Sequence, residues 1–506
     1  MDKNNPRDMY MKKTAYAPFF AATALLLACS DGSDNNEGNP TPPEPEPVAC
    51  AGTEVNPERL FLQQLSSDRV IIQWRGDADG GVGSDQLCFG TDMGFLPEES
   101  MTTAEETETG HREVLLTGLS PETTYYYSVG GAGSALETRH FRTAPEAGQV
   151  PEDGNIRIWI IGDSGNGGKN KPETVEPVRD GFNAFVENSG GEPADLFLML
   201  GDNAYNQGTD LEHQRAIFDI FPDILSTTPL WPTIGNHEMG SFGTSTSSDP
   251  DSFAIIGNGN NGGPDPAPDS PMPYLNIFTL PTDGEVGGLA SGTEQYYSFD
   301  YANLHIVSLD TQLAMRDEAG RAAMKQWLID DLVSNDLDWT VVIFHHPPYS
   351  KGDKDSDNPV GGIDQPMFDL REEFTPVFEE YGVDLAYAGH DHIYERSYYL
   401  NGHTGLSDTF DPQVHAELND QGEAASGQGD EAYTQITRNG TDDKVVYTVA
   451  GHAGDVRAEV DPIPHPAHFF TRFEHGSVVL DIGEDRLEAY GIDVNGNVMD
   501  SFVMTR

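Results

Sequence analysis

Five short apolar runs, spread over more than two hundred residues, each end in a turn bearing side chains able to hold a metal ion. Residues 156–161 (IRIWII) lead into Gly162-Asp163-Ser164-Gly165, and residues 196–200 (LFLML) into Gly201-Asp202-Asn203-Ala204-Tyr205. Residues 229–234 precede Gly235-Asn236-His237-Glu238, residues 339–344 (WTVVIF) precede His345-His346-Pro347-Pro348-Tyr349, and residues 383–388 precede Gly389-His390-Asp391-His392. Short, predominantly apolar runs of this length read as buried strands. One Gly-Asp or Gly-Asn-His after a strand is ordinary turn chemistry. Five in order are another matter, because open α/β sheets place their sites beyond the carboxyl ends of the strands, so the five loops are expected to converge. In an extended segment, side chains two residues apart share a face, so His390 and His392 can turn toward one cavity.

Between these runs lie amphipathic segments at 172–187, 212–220, 318–334 and 367–381 that read as crossover helices, and strand alternating with helix argues a layered α/β fold. Residues 444–450, 477–482 and 486–490 add late strands, expected to form a second sheet packed on the first. Residues 240–290 and 401–439 are rich in Gly, Ser, Pro, Asn and Asp and read as long rim loops. His452, after Gly451, is placed to reach the site rim, but reads first as a structural loop histidine.

Four regions follow from composition. Lys12 and Lys13 precede an apolar run, residues 17–28, too short to span a bilayer, so residues 1–29 read as an export signal. Its Leu26-Leu27-Ala28-Cys29 ending resembles a bacterial lipobox, which implies lipidation of Cys29 and anchoring to the outer membrane or cell surface; the alternative is a plain signal peptide with an incidental cysteine and a secreted protein. Residues 30–49 are Pro-rich and acidic and read as a disordered tether. Residues 50–145 offer short alternating strands at 69–74, 86–89, 113–116, 125–129 and 140–142, a small all-β sandwich. Residues 155–506 hold the five loops and form the catalytic domain. With Cys29 lipidated, Cys50 and Cys88 are left as an even pair, either a disulfide stapling the sandwich or two buried thiols.

With 28 basic against 84 acidic residues the formal charge is −56. No basic stripe is available for nucleic-acid phosphates, and acid dispersed in this way suits salty surroundings where self-repulsion is screened. The expected partner is a small molecule, with membrane contact only through a lipid at Cys29.

Aspartates, an asparagine, a tyrosine and histidines without thiolate form a mixed O and N donor set suited to iron, zinc or manganese. GDSG, GDNAY, GNHE, VIFH (342–345) and GHDH together resemble the calcineurin-like metallophosphoesterases. Tyr205 at the family's GDxxY spacing, Tyr394-Glu395-Arg396 after GHDH, YSFDY at 297–301 and the sandwich in front narrow the resemblance to the purple acid phosphatases. The turn at 119–127, with a tyrosine at its corner, resembles a fibronectin type III-like domain. The resemblance implies a metallophosphoesterase β-sandwich flanked by helices and a dinuclear centre of iron(III) plus a divalent metal (Zn, Fe or Mn). By motif, Asp163, Tyr205 and His392 would hold the iron, Asn236, His345 and His390 the second metal, and Asp202 would bridge them. A metal-activated hydroxide would attack the phosphorus of a phosphate monoester, with His237 contacting phosphate oxygen or protonating the leaving group.

The chain departs from the plant-type pattern in one respect: no histidine lies between His346 and His390 to face substrate. His346, beside His345, is the candidate to take that place. Two further readings are a phosphodiesterase or nucleotidase on the same fold, and a surface-binding lipoprotein with a decayed site.

Overall fold

The five runs are strands divided between two seven-stranded sheets of a computed structural model. It describes residues 46–76, 78, 83–107, 110–151, 154–191, 193–239, 272–315, 318–358, 364–435, 443–457 and 465–506. The export signal, Cys29 and all but the end of the tether lie outside the described residues, as do residues 240–271 of the first rim loop.

One sheet carries Leu230–Pro232, Leu196–Met199 and Ile156–Ile161 as parallel neighbours, then continues antiparallel through Gly476–Ile482, Arg486–Asp493 and Val498–Thr505. The other runs from Tyr297–Tyr301 through Leu304–Ser308, Trp339–Phe344, Leu385–Ala388 and Val445–Ala450, the last four parallel, to Tyr394–Leu400 and His468–Arg472. Every residue of Ile156–Ile161, Leu196–Met199, Trp339–Phe344 and Leu385–Ala388 is buried, as strands covered on both faces require. Three site-bearing strands thus belong to one sheet and two to the other. The late strands do not form a sheet of their own: Val445–Ala450 joins the 339–344 sheet and the others extend the 156–161 sheet.

The helices Glu176–Ser189 and Glu318–Ser334 occupy the expected segments; the first ends at Gly190, whose left-handed backbone (φ 66°) returns its N–H to Val186. Two other segments differ. Residues 210–218 form a short helix, Asp210–His213, opened by a Thr209–Glu212 capping box and continued as a π turn, and 365–380 breaks at Phe374 into two helices because Pro376 cannot continue the first.

In front lie two four-stranded sheets. Glu58–Gln63, Arg69–Arg75, His111–Thr117 and Glu105–Glu106 form one; Thr102–Thr103, Gln86–Gly90, Thr124–Val129 and His140–Arg142 form the other. Cys50 and Cys88 are joined by a disulfide. Tyr125 marks the corner by accepting a hydrogen bond from the Ser120 N–H at 2.9 Å. Residues 47–506 form one compact unit, so the sandwich docks on the larger sheets: Tyr127 Oη donates to Ser226 O at 2.7 Å, and buried Arg59 meets Asp210 at 2.7 Å.

Candidate metal centre

The five strand ends converge. Asp163, Asp202 and His345 bring ligand atoms within 4.8 Å of one another, all three buried. Asp163 (φ 56°), Asp202 (φ 52°) and His390 (φ 69°) adopt the left-handed conformation that non-glycine residues rarely take. Such backbone persists only where the surroundings fix it, and it concentrates at functional sites.

Two groups of donors surround the Asp202 carboxylate. In the first, Tyr205 Oη donates to Asp163 Oδ1 at 3.1 Å and lies 3.0 Å from His392 Nε2, which is 3.4 Å from Asp163 Oδ1. In the second, His345 Nε2 is 3.0 Å from Asn236 Oδ1 and 3.4 Å from Asp202 Oδ1. Metal–ligand bonds of ~2.1 Å at octahedral to tetrahedral angles put neighbouring donors ~3.0–3.4 Å apart. Both groups therefore fit a first coordination shell, with oxygen and nitrogen donors and no thiolate. His390 packs its ring 5.0 Å from that of His345, centre to centre, and its backbone N–H donates to Asp163 Oδ2 at 2.7 Å.

The supporting shell orients these donors. His345 Nδ1 donates to Leu200 O at 2.8 Å, turning Nε2 toward Asn236 and Asp202. His390 Nε2 donates to Asp364 Oδ1 at 2.8 Å. Glu238, wholly buried, accepts from the backbone N–H of Gly235 (2.6 Å), Asn203 (2.7 Å), Asp202 (3.0 Å) and Ala204 (3.2 Å), clamping the GNHE turn to the GDNAY turn. Neither Glu238 nor Asp364 is marked as a site residue by the strand-end motifs. An acid beside GNH was the available signal for Glu238; Asp364 gave none.

His237 edges the site, with Nδ1 2.6 Å from Asn206 O, Nε2 3.8 Å from Asp202 Oδ2 and its ring edge-on to Tyr205. His346 is fully buried. Its ring lies 4.1 Å from that of His390, and its nitrogens meet Thr311 Oγ1 (2.9 Å) and Gln312 Nε2 (3.1 Å). His452 is buried against Tyr394, and its backbone carbonyl accepts from Gly476 N–H.

Charge is tightly coupled here. Burial alone would raise the Asp202 carboxyl, but His345 and His237 hold it far below the usual range. Burial likewise opposes protonation of His345, yet Asp202 and Asp163 push it up to about 9. Cation binding would displace that proton. Burial, then the charges of Asp163 and Asp202, drives the Tyr205 hydroxyl well above 10. Glu238 is pushed up to about 8 by burial and Asp202, against its N–H donors. His346 is held well below 6.5 by burial and by His390 and His345, so it stays neutral.

Comparison with known proteins locates this arrangement. Residues 156–394 match the calcineurin-like phosphoesterase family model, and residues 57–143 match the purple acid phosphatase N-terminal domain. An uncharacterized protein of Mycobacterium tuberculosis is 25% identical over 70% of this chain, and the chain spans 64% of that protein's length. Purple acid phosphatase 15 of Arabidopsis thaliana is 27% identical over 56% of this chain and 49% of its own. The structure of a purple acid phosphatase from yellow lupin (Lupinus luteus) seeds shares the fold, with a TM-score of 0.59 and 20% identity over 89% of this chain and 75% of the lupin chain. Two family models matched in order, over a sandwich followed by paired sheets whose strand ends gather aspartates and histidines, make the chain a purple acid phosphatase-like member of the calcineurin-like metallophosphoesterases.

Proposed function

We propose that the protein is an exported phosphatase that hydrolyses small phosphate monoesters at a dinuclear metal centre. The observation that carries this reading is a pair of donor groups near the Asp202 carboxylate: Asp163, Tyr205 and His392 at 3.0–3.4 Å from one another, and Asn236 and His345 3.0 Å apart, with His345 3.4 Å from Asp202. Asp163, Tyr205 and His392 would hold iron(III), Asn236, His345 and His390 a divalent ion (Zn, Fe or Mn), and Asp202 would bridge the two. Such a pair, when bound, lowers the pKa of a water to generate the nucleophile and offsets the charge on the phosphoryl oxygens. Only a strongly Lewis-acidic ion would ionise Tyr205 against its raised pKa, which favours the trivalent ion on that side.

The chain's own residues supply orientation and protons. The hydrogen bond from His237 Nδ1 to Asn206 O aims Nε2 at the edge of the site, where it contacts a phosphoryl oxygen or protonates the departing alcohol. His346, neutral and enclosed by Thr311, Gln312 and His390, acts as a positioning residue behind His390 rather than as a substrate contact. The Cys50–Cys88 disulfide supports an oxidising compartment and hence export. No described helix is long and apolar enough to cross a membrane, and anchoring is assigned to a lipid on Cys29.

Hydrolysis of a phosphate monoester and its matching diester, side by side from acid to alkaline pH with metal-loaded protein, tests the reading. A monoester preference peaking in acid is expected. A diester preference or an alkaline peak overturns it in favour of a phosphodiesterase or nucleotidase, and failure to retain any transition metal points to a binding lipoprotein.

A further inference from the structure

The centre opens to solvent on one side. Of its seven donors and His237, six are buried, while the His237 and His392 side chains are 24% and 12% exposed, so substrate enters past these two. Two cations flank that edge, Lys169 and Arg457.

Lys169 ends the glycine-rich turn Gly165–Lys169, and its Nζ lies over the Tyr205 ring, 4.1 Å from the centroid. The lysine is only partly exposed, yet among the described residues its ammonium has no ion-pair or hydrogen-bond partner. Lack of acid is not the reason, since the chain carries 84 acidic residues against 28 basic. Asp455 and Asp202 act on it only at a distance, and Lys171 and Arg457 repel it. The aromatic face compensates part of the lost hydration of the partly desolvated ammonium.

Arg457 approaches from the neighbouring loop. Its backbone N–H donates to His392 O at 3.1 Å, and its charge bears on both Lys169 and His392. The guanidinium meets Asp353 at 3.0 Å, with both side chains more than 40% exposed. Such a pair contributes little and is readily exchanged for a ligand. Asn166 Nδ2 donates to Gly454 O, tying the two cation-bearing segments together.

We propose that Lys169 and Arg457 form a cationic subsite at the mouth of the centre that binds a second anionic group on the substrate. The preferred esters are then small phosphate monoesters carrying another negative charge, rather than phosphates of neutral alcohols. The subsite also answers an electrostatic difficulty: a chain of net charge −56 repels anionic substrates at long range, and local cations at the entrance reverse that field where it matters.

The subsite rests on the phosphomonoesterase reading, so its test is a binding measurement with non-hydrolysable probes. Calorimetry on metal-loaded protein would compare phosphonoacetate with ethylphosphonate, and 3-phosphonopropionate with propylphosphonate. In at least one pair the carboxylate is expected to tighten binding roughly tenfold, as one charge-assisted contact would. Lys169→Gln and Arg457→Gln should each pull that ratio toward one, and Lys169→Arg should keep most of it. Ratios near one in the intact protein, or ratios untouched by both substitutions, overturn the subsite. Equal weakening of both members of a pair by Lys169→Gln also overturns it, because Lys169 would then only support Tyr205. Monoester turnover measured on the same samples separates the two ideas: a carboxylate preference without monoester hydrolysis keeps the subsite and removes the function proposed above.

Discussion

Gly165 offers the sharpest steric test of how the centre is held. Its N–H donates to Asp202 O at 3.1 Å and its carbonyl accepts from Tyr205 N–H at 3.0 Å, so the GDSG turn lies flat on the GDNAY turn. A Cβ added there would sit 2.6 Å from Tyr205 N, 2.8 Å from Asp202 O and 2.9 Å from Ala204 N, all backbone atoms that cannot rotate aside. Contacts of 3.0 to 3.4 Å are already tight, so Gly165→Ala must push the two turns apart by about 0.4 to 0.8 Å. Overpacking of this kind costs about 1–3 kcal/mol. Because the displaced atoms carry Asp202 and Tyr205, and a 1 Å misplacement costs about a hundredfold in rate, kcat/KM should fall by about tenfold or more. Denaturant unfolding, metal content and phosphate release on the same preparations read these effects. Ser164→Ala is the control, since the buried Ser164 hydroxyl has no hydrogen-bond partner among the described residues. A Gly165→Ala protein with unchanged stability, metal content and turnover would refute the claim that close contact of the two turns sets the spacing of the donors.

Tyr205→Phe should abolish any visible phenolate-to-iron(III) band while leaving the protein folded; a substituted protein that stays purple removes Tyr205 from the ligand set. Glu238→Gln leaves two of four buried N–H groups facing an amide, at about 1–3 kcal/mol each, so unfolding midpoints should drop with loss of retained metal, and an unchanged midpoint contradicts the clamp. His305, where burial is outweighed by hydrogen bonds to Asp300 and Asp331, is pushed up to about 9. A raised folded pKa stabilises fully below about 6.5, and that stability is lost as pH rises through about 9. The protein should lose on the order of 3 kcal/mol across this window, and His305→Gln should flatten the dependence in unfolding curves measured from pH 6 to 10. Reduction of Cys50–Cys88, which closes a 38-residue separation, should cost about 4 kcal/mol of sandwich stability in the chain-entropy account, read as a shifted unfolding transition with reductant.

The elements legible in the sequence are those whose burial is uniform. Trp339–Phe344 and Ile156–Ile161 are apolar almost throughout and announce themselves; the seventeen-residue helix Glu318–Ser334 is legible for a different reason, the helical spacing of its buried Met324, Trp327, Leu328 and Leu332. Tyr394–Leu400 does not. Its Glu395, Arg396 and Ser397 are polar yet wholly buried, because Arg396 pairs with Asp500 and Glu395 takes a hydrogen bond from Ser350. Those partners lie 104 and 45 residues away, so no local pattern carries them. The candidate site divides in the same way. Its donors were legible because each sits one to five residues past an apolar run, whereas Glu238, Asp364 and Lys169 matter only through what they meet in space.

The division of the centre between two sheets is the feature least visible in the chain and most consequential for it. An open α/β sheet would deliver all five loops from one layer; here Asp163, Tyr205 and Asn236 come from one sheet and His345, His390 and His392 from the other. The spacing of the donors therefore depends on how closely the sheets approach at their carboxyl ends. Gly201 sits at that seam with φ 86°, and a Cβ there would meet His345 Nδ1 at 2.7 Å and Gly235 N at 2.8 Å. The same seam carries the hydrogen bond from His345 Nδ1 to Leu200 O and that from His390 N–H to Asp163 Oδ2, each linking a loop of one sheet to a loop of the other. Loss of close approach at this seam would separate the two donor groups while leaving each internally intact. Glycines at the strand ends thus shape the candidate metal centre as much as its donors do, since they set the distance between the two donor groups.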